Sequence, residues 1–95
     1  MATYIVLGKF TPQGGQSPQD IPERRRANRE RAEALGISFE SYLTMGAVDV
    51  LWVASAPSEE AMAKFLLGLG AAGNLSTQTL RAFRAAEVDA LVASV

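Results

Sequence analysis

Cysteine and histidine are both absent from this chain. Without cysteine there are no disulfides, no thiolate nucleophile and no sulfur-ligated metal, and nothing marks an oxidising compartment. Without histidine the commonest general base is missing. Ser-His and Cys-His nucleophile pairs, imidazole ligation of haem and nearly all zinc sites go with it. Acid–base chemistry would fall to Asp, Glu, Lys or Tyr. Excess charge is missing too: a formal net charge of −1 gives no long-range field to draw nucleic acid or an anionic membrane surface. No run approaches the ~20 apolar residues of a membrane span, and Met1 to Lys9 carries no basic leader, so a soluble cytoplasmic protein is expected. The few carboxylates are too scattered for a calcium or magnesium site, and neither metal nor cofactor is expected.

The 95 residues present suit one domain, residues 1–95, with one core. Residues 3–10 are β-branched and aromatic and stop at Pro12, Gly14 and Gly15, which predicts a first strand. Asp20 followed by Ile21, Pro22 and Glu23 reads as an N-cap, with Ser17-Pro18 able to begin the turn earlier; Gly36 closes this helix after Leu35. Residues 37–44 alternate with the period of a half-buried strand, Gly46 marks a turn, and residues 48–55 return as an antiparallel partner. Ser58 caps a second helix with Glu59 and Glu60 in its first turn. Met62, Phe65, Leu66 and Leu69 share one face of it, and Gly68, Gly70 and Gly73 are read as its end. Residues 74–83 form a last strand, and Val88, Leu91, Val92 and Val95 lie on one side of a short tail helix.

This order predicts an α+β, ferredoxin-like βαββαβ domain: a four-stranded antiparallel sheet plus a short C-terminal helix. Two helices cover one sheet face. Residues 4–7 and 50–54 are apolar at odd and even positions alike, so the second face is apolar as well. A homodimer packed sheet against sheet is the expected cover, as in dimeric α/β barrels.

Three segments carry a family resemblance: Tyr4-Ile5-Val6-Leu7-Gly8-Lys9-Phe10-Thr11, Tyr42-Leu43-Thr44-Met45-Gly46-Ala47-Val48-Asp49 and Thr79-Leu80-Arg81-Ala82-Phe83. Through them the chain resembles the GYD-domain proteins over nearly its full length. The resemblance implies the dimeric α/β-barrel fold and no established activity. Gly46 and Asp49 match two of the three residues that name the family, and Val48 stands at its Tyr position.

Asp49 is the one charge in an otherwise apolar strand start, and a buried carboxylate needs a cation or several donors. It is either a catalytic base or ligand anchor, or, as the commoner role of Asp, a cap on the 45–48 turn. The first helix holds Arg24, Arg25, Arg26, Arg29 and Arg31, but Asp20, Glu23, Glu30 and Glu33 share the segment. With Arg26/Glu30 and Arg29/Glu33 at i,i+4 and no aromatic to stack a base, it is read as a solvated face and not as a nucleic-acid patch.

Helical angles place Ala27, Ala34 and Leu35 inward, together with Arg24, Asn28 and Arg31. Either the arginine stems snorkel to water, which the shortage of large apolar residues favours, or a polar-walled cleft separates helix and sheet. In such a cleft Arg24 and Arg31 would hold a carboxylate and Asn28 would orient it. Residues 68–73 match G-x-G-x-x-G literally, but they close a helix where a dinucleotide site must open one. Tyr4, Tyr42 and Trp52 are read first as sheet-packing aromatics, and Lys9 and Arg81 as strand cations able to pair with Asp49 or Glu40.

Three functions remain in view. The first is a homo-oligomeric binder of a small organic molecule, with an aromatic or carboxylate-bearing one among the candidates, its pocket walled by Tyr4, Tyr42 and Trp52. The second is a cofactor-independent isomerase- or oxygenase-like enzyme with Asp49 as catalytic base, an analogy at the level of the fold. The third is a purely structural or regulatory module.

Overall fold

A computed structural model describes residues 1–95. The elements run β1 (Ala2–Phe10), a one-turn helix α1 (Pro12–Gly15), a 3-10 turn (Pro18–Asp20), α2 (Ile21–Ala34), β2 (Ser38–Leu43), β3 (Val50–Ala56), α3 (Glu59–Ala72), β4 (Leu75–Ala82) and α4 (Ala85–Ala93). The strands form one antiparallel sheet in the order β2-β3-β1-β4, the ferredoxin-like arrangement. No helix is long and apolar enough to cross a membrane.

Register follows from pairing Val6 with Trp52 and Tyr4 with Ala54, which puts Tyr4, Val6, Trp52, Ala54 and Ala56 on the face under α2 and α3. These residues are buried. Across that face Phe39 of β2 stacks on Trp52 with centroids 4.9 Å apart, and Phe65 of α3 closes the triangle at 6.0 Å from each. Aromatic pairs at these spacings add to the burial itself. Met62, Phe65 and Leu69 make up the buried side of α3.

Three helix ends form as their residues predict. The Ser58 hydroxyl accepts from Ala61 N–H at 3.1 Å. Gly36 and Gly73 adopt φ of +75° and +78°, which favours a residue with no Cβ. Other expectations are corrected. Gly68 and Gly70 do not end α3; the buried face at Phe65 and Leu69 holds the helix together as far as Ala72. Asp20 makes no side-chain cap, because as the last residue of the 3-10 turn it already has helical backbone angles. On α2, Ala32 is the buried residue while Ala27 and Ala34 are exposed, so Ile21, Arg24, Asn28, Arg31 and Leu35 form the inward stripe.

The expected i,i+4 ion pairs of α2 are also absent. Glu23 pairs with Arg26 at 3.0 Å, and Arg29 instead donates to Phe39 O at 3.1 Å, its guanidinium 4.6 Å from the Phe39 ring centre. Arg81 pairs with neither Asp49 nor Glu40. It donates to the Thr3 and Ala82 carbonyls and lies over the Phe83 ring.

Strand alternation sends Ile5, Leu7, Leu51, Val53 and Leu80 to the other sheet face. Within one chain these five stay half-buried to exposed, although Thr3 of the same face is buried, and α2 and α3 lie on the opposite side. α4 buries no residue, and its Val88, Leu91 and Val92 are exposed with Val95 beyond it.

Candidate functional site

The inward stripe of α2 is too polar and too short in apolar bulk to close against the sheet. A cleft of about 250 Å³ remains between them, lined by sixteen residues of which ten are hydrophobic. Ser41, Leu43, Val50 and Trp52 of β2 and β3 form its floor, and Phe10 and Leu75 its flank. Leu69 and Ala72 of α3, with Asn74 just beyond, close one end, and Ile21, Arg24, Arg25, Ala27, Asn28 and Arg31 of α2 make the wall. No Asp or Glu is among them. A concave, mostly apolar lining with a few converging polar groups is the ordinary build of a small-molecule site.

The three predicted wall residues come together here, and they are not equivalent. Arg24 is committed to the chain: Nη1 donates to Gly14 O at 3.0 Å and Nη2 to Ser17 O at 2.8 Å, strapping the segment between β1 and α2. Asn28 stands one turn further along. Arg31 is different, because its Nη1 is buried with no hydrogen-bond partner. Its stem crosses α3 at Gly68, where an added Cβ would lie 2.9 Å from Cδ and 3.4 Å from Nε and Nη1. A buried guanidinium nitrogen without an acceptor is costly, and a carboxylate satisfies it with a short, charge-assisted bond. Chemically, this wall can hold an anion.

Of the predicted aromatics, Trp52 contributes to the floor. Tyr42 borders the cleft, but alternation places its phenol on the opposite face, where the hydroxyl donates to Glu40 Oε2 at 2.8 Å. That bond and the Glu40 charge hold the Tyr42 pKa above its ordinary value, since both favour the neutral phenol. Tyr4 is buried beneath α3 outside the cleft, its hydroxyl unpartnered and the Arg81 guanidinium 5.6 Å from its ring centre. Asp49 also lies outside the cleft. Its Oδ2 accepts from Phe10 N–H at 2.8 Å while its own N–H donates to Gly8 O at 2.9 Å, extending the pairing of β3 with β1 beyond Val50. Gly46 is at the exposed tip of the hairpin loop, with no atom within 4 Å of where a Cβ would stand. No cluster of three or more Asp or Glu side chains is placed to hold a metal ion.

Several lining residues escape the sequence reading. Leu69 reads as the apolar face of a helix, Phe10 as a strand end, and Asn74 and Leu75 as the start of the last strand. The signal they share is position beside Gly73, where α3 reverses into β4, and it becomes informative once the strand register is known.

Fold and site together define a class: a small ferredoxin-like α+β protein with an arginine-walled cleft between its first long helix and the sheet. Residues 4–92 match the family model described as the GYD domain, and the chain belongs to that family. A protein of Thermus thermophilus named "Glutamine synthetase and cystathionine beta-lyase binding protein" is 30% identical over 92 residues, covering 95% of this chain and 97% of its own length. The crystal structure of At3g17210 from Arabidopsis thaliana shares the fold at a TM-score of 0.61, with 13% identity, over 88% of this chain and 95% of that one.

Proposed function

We propose that this GYD-domain protein is a homo-oligomeric binding protein that takes a small organic molecule into the cleft between α2 and the sheet, with Arg31 as its polar anchor. The observation that carries this reading is Arg31, a half-buried guanidinium on the wall of a mainly apolar cleft whose Nη1 is left without a hydrogen-bond partner. Trp52, Leu69 and Phe10 supply the surface for the ligand body, and Asn28 supplies orientation. Asp49, turned to the Phe10 amide outside the cleft, lends a catalytic reading no support. Mass spectrometry of the protein purified under native conditions tests the proposal: a bound small molecule is expected on the natural chain and absent from Arg31→Met. A natural chain that carries no small molecule and shows no chemical-shift change with any member of a fragment library ends this reading.

The oligomer is proposed from the apolar face carrying Ile5, Leu7, Leu51 and Val53, which a second copy would cover. A second reading concerns partners. The Thermus relative is named for binding two enzymes, and by that likeness the chain would dock on a metabolic enzyme as a regulatory component. Co-elution with glutamine synthetase of the same organism at micromolar concentration is the expected outcome, and separate elution removes the reading.

A further inference from the structure

We infer that the cleft selects an organic monocarboxylate with an apolar body and rejects the zwitterionic amino acid of the same skeleton. This deepens the proposed function and rests on the cleft being the binding site.

Charge sets the sign of the ligand. Three arginines and no acidic side chain line the cleft. Arg24 is engaged by two carbonyls and Arg25 is exposed, which leaves Arg31 as the half-buried guanidinium on the lining that makes no hydrogen bond, its Nη1 buried. An anion answers that donor. An α-ammonium group finds no carboxylate to accept its hydrogen bonds, and it adds a positive charge beside three others in a site of lowered dielectric. Asn74 offers it little, because its Oδ1 already accepts from Gln13 at 3.1 Å. One half-buried guanidinium without a partner also points to one carboxylate: a second would face a mainly apolar lining.

Size agrees. A volume of about 250 Å³ has room for a small organic molecule on the order of ten non-hydrogen atoms. With Trp52, Phe10, Leu69 and Leu75 around it, that body is apolar and suits a ring.

Gly68 belongs to the same device as a positioning residue. An added Cβ at Gly70 meets nothing within 4 Å, whereas at Gly68 it meets the Arg31 stem. The bare backbone at Gly68 therefore makes room for the Arg31 stem and guanidinium against α3 beside the cleft, at a cost in helix propensity that the crossing accounts for.

The test uses the full chain, isotope-labelled, with the Trp52 indole N–H and Arg31 Nε–H resonances followed by NMR. Three probes share one skeleton: 3-phenylpropionate, 3-phenylpropanamide and L-phenylalanine. The acid is expected to shift both resonances saturably, with the amide and the amino acid at least about tenfold weaker, as a stranded polar group or a lost charge-assisted bond implies. Arg31→Met should reduce the acid to the level of the amide without lowering the melting temperature, since a buried donor lacking a partner is removed. Gly68→Ala, which keeps the arginine but displaces it, should weaken the acid several-fold in a folded protein. If L-phenylalanine or the amide binds as tightly as the acid, the selectivity inference is overturned while the cleft remains a binding site. If none of the three shifts either resonance, the inference falls, and the native mass spectrum decides the cleft separately. Arg31→Met binding the acid as the natural chain does also overturns the inference.

Discussion

Asp49 and Tyr42 show how one side chain's partner decides its role. Asp49 offers its carboxylate to a main-chain amide on the neighbouring strand, so its contribution belongs to the sheet. Asp49→Ala strands the Phe10 N–H and is expected to cost about 1–3 kcal/mol in urea unfolding, whereas Asp49→Asn keeps an acceptor and should cost less than half of that. Equal losses would show that charge, and not the acceptor, is what matters. Tyr42 gives a second test. Its raised pKa has Glu40 as its cause, first through the hydrogen bond and then through charge. Ionisation would break the bond and place phenolate beside carboxylate, so the neutral form persists to higher pH. Glu40→Gln should move the phenol titration, followed by its Cζ shift, down toward the ordinary tyrosine value; an unchanged midpoint would exclude Glu40 as the cause.

Among the elements, α3 and α2 contrast in how much their sequences disclose. The start of α3 is written in Ser58, Glu59 and Glu60, its core side in Met62, Phe65 and Leu69, and its end in Gly73. Ser58→Ala is accordingly expected to cost about 1 kcal/mol and lower the melting temperature by about 5 °C, measured by circular dichroism. A change within error would mean that the Ala61 amide is satisfied by water. α2 is harder to read. Its inward stripe has Arg and Asn where α3 has Met, Phe and Leu, so the apolar direction is weakly marked and helical angles alone put Ala34 inward though it is exposed. The spacing of Arg24, Asn28 and Arg31 does reveal a shared polar wall. Which of them would be free is not legible, because it depends on the path of the preceding loop, whose Gly14 and Ser17 carbonyls take Arg24, and on a contact distant in sequence, Arg31 with Gly68. The cleft floor depends in turn on the β2-β3-β1 register, which a single sequence does not state. The antiparallel ferredoxin-like order is legible because each strand and helix carries its own period and breakers.

At the scale of the whole molecule, the shape argues for a partner. The chain measures 49 × 30 × 17 Å: a thin slab of sheet and helices, with α4 burying none of its residues. Four strands spaced ~4.8 Å apart and about 20 Å long give the uncovered sheet face a footprint of roughly 400 Å². A stable interface takes about 800 Å² from each partner. The sheet face is a small footprint for such an interface, so the proposed dimer is expected to engage the apolar stripe of Val88, Leu91, Val92 and Val95 as well. Two variants separate these contributions. Leu51→Glu sets a charge between Leu7 and Tyr42 at the centre of the face, and across a two-fold axis it brings like charges together without entering the core under the helices. It should yield a folded species of half the sedimenting mass of the natural chain. Ending the chain after Phe83 removes α4 and should weaken association by at least about tenfold while leaving the Phe39–Trp52–Phe65 near-ultraviolet signal intact. A natural chain that sediments as a monomer at micromolar concentration would show that this face is stable in water, and the assembly half of the proposed function would then be withdrawn.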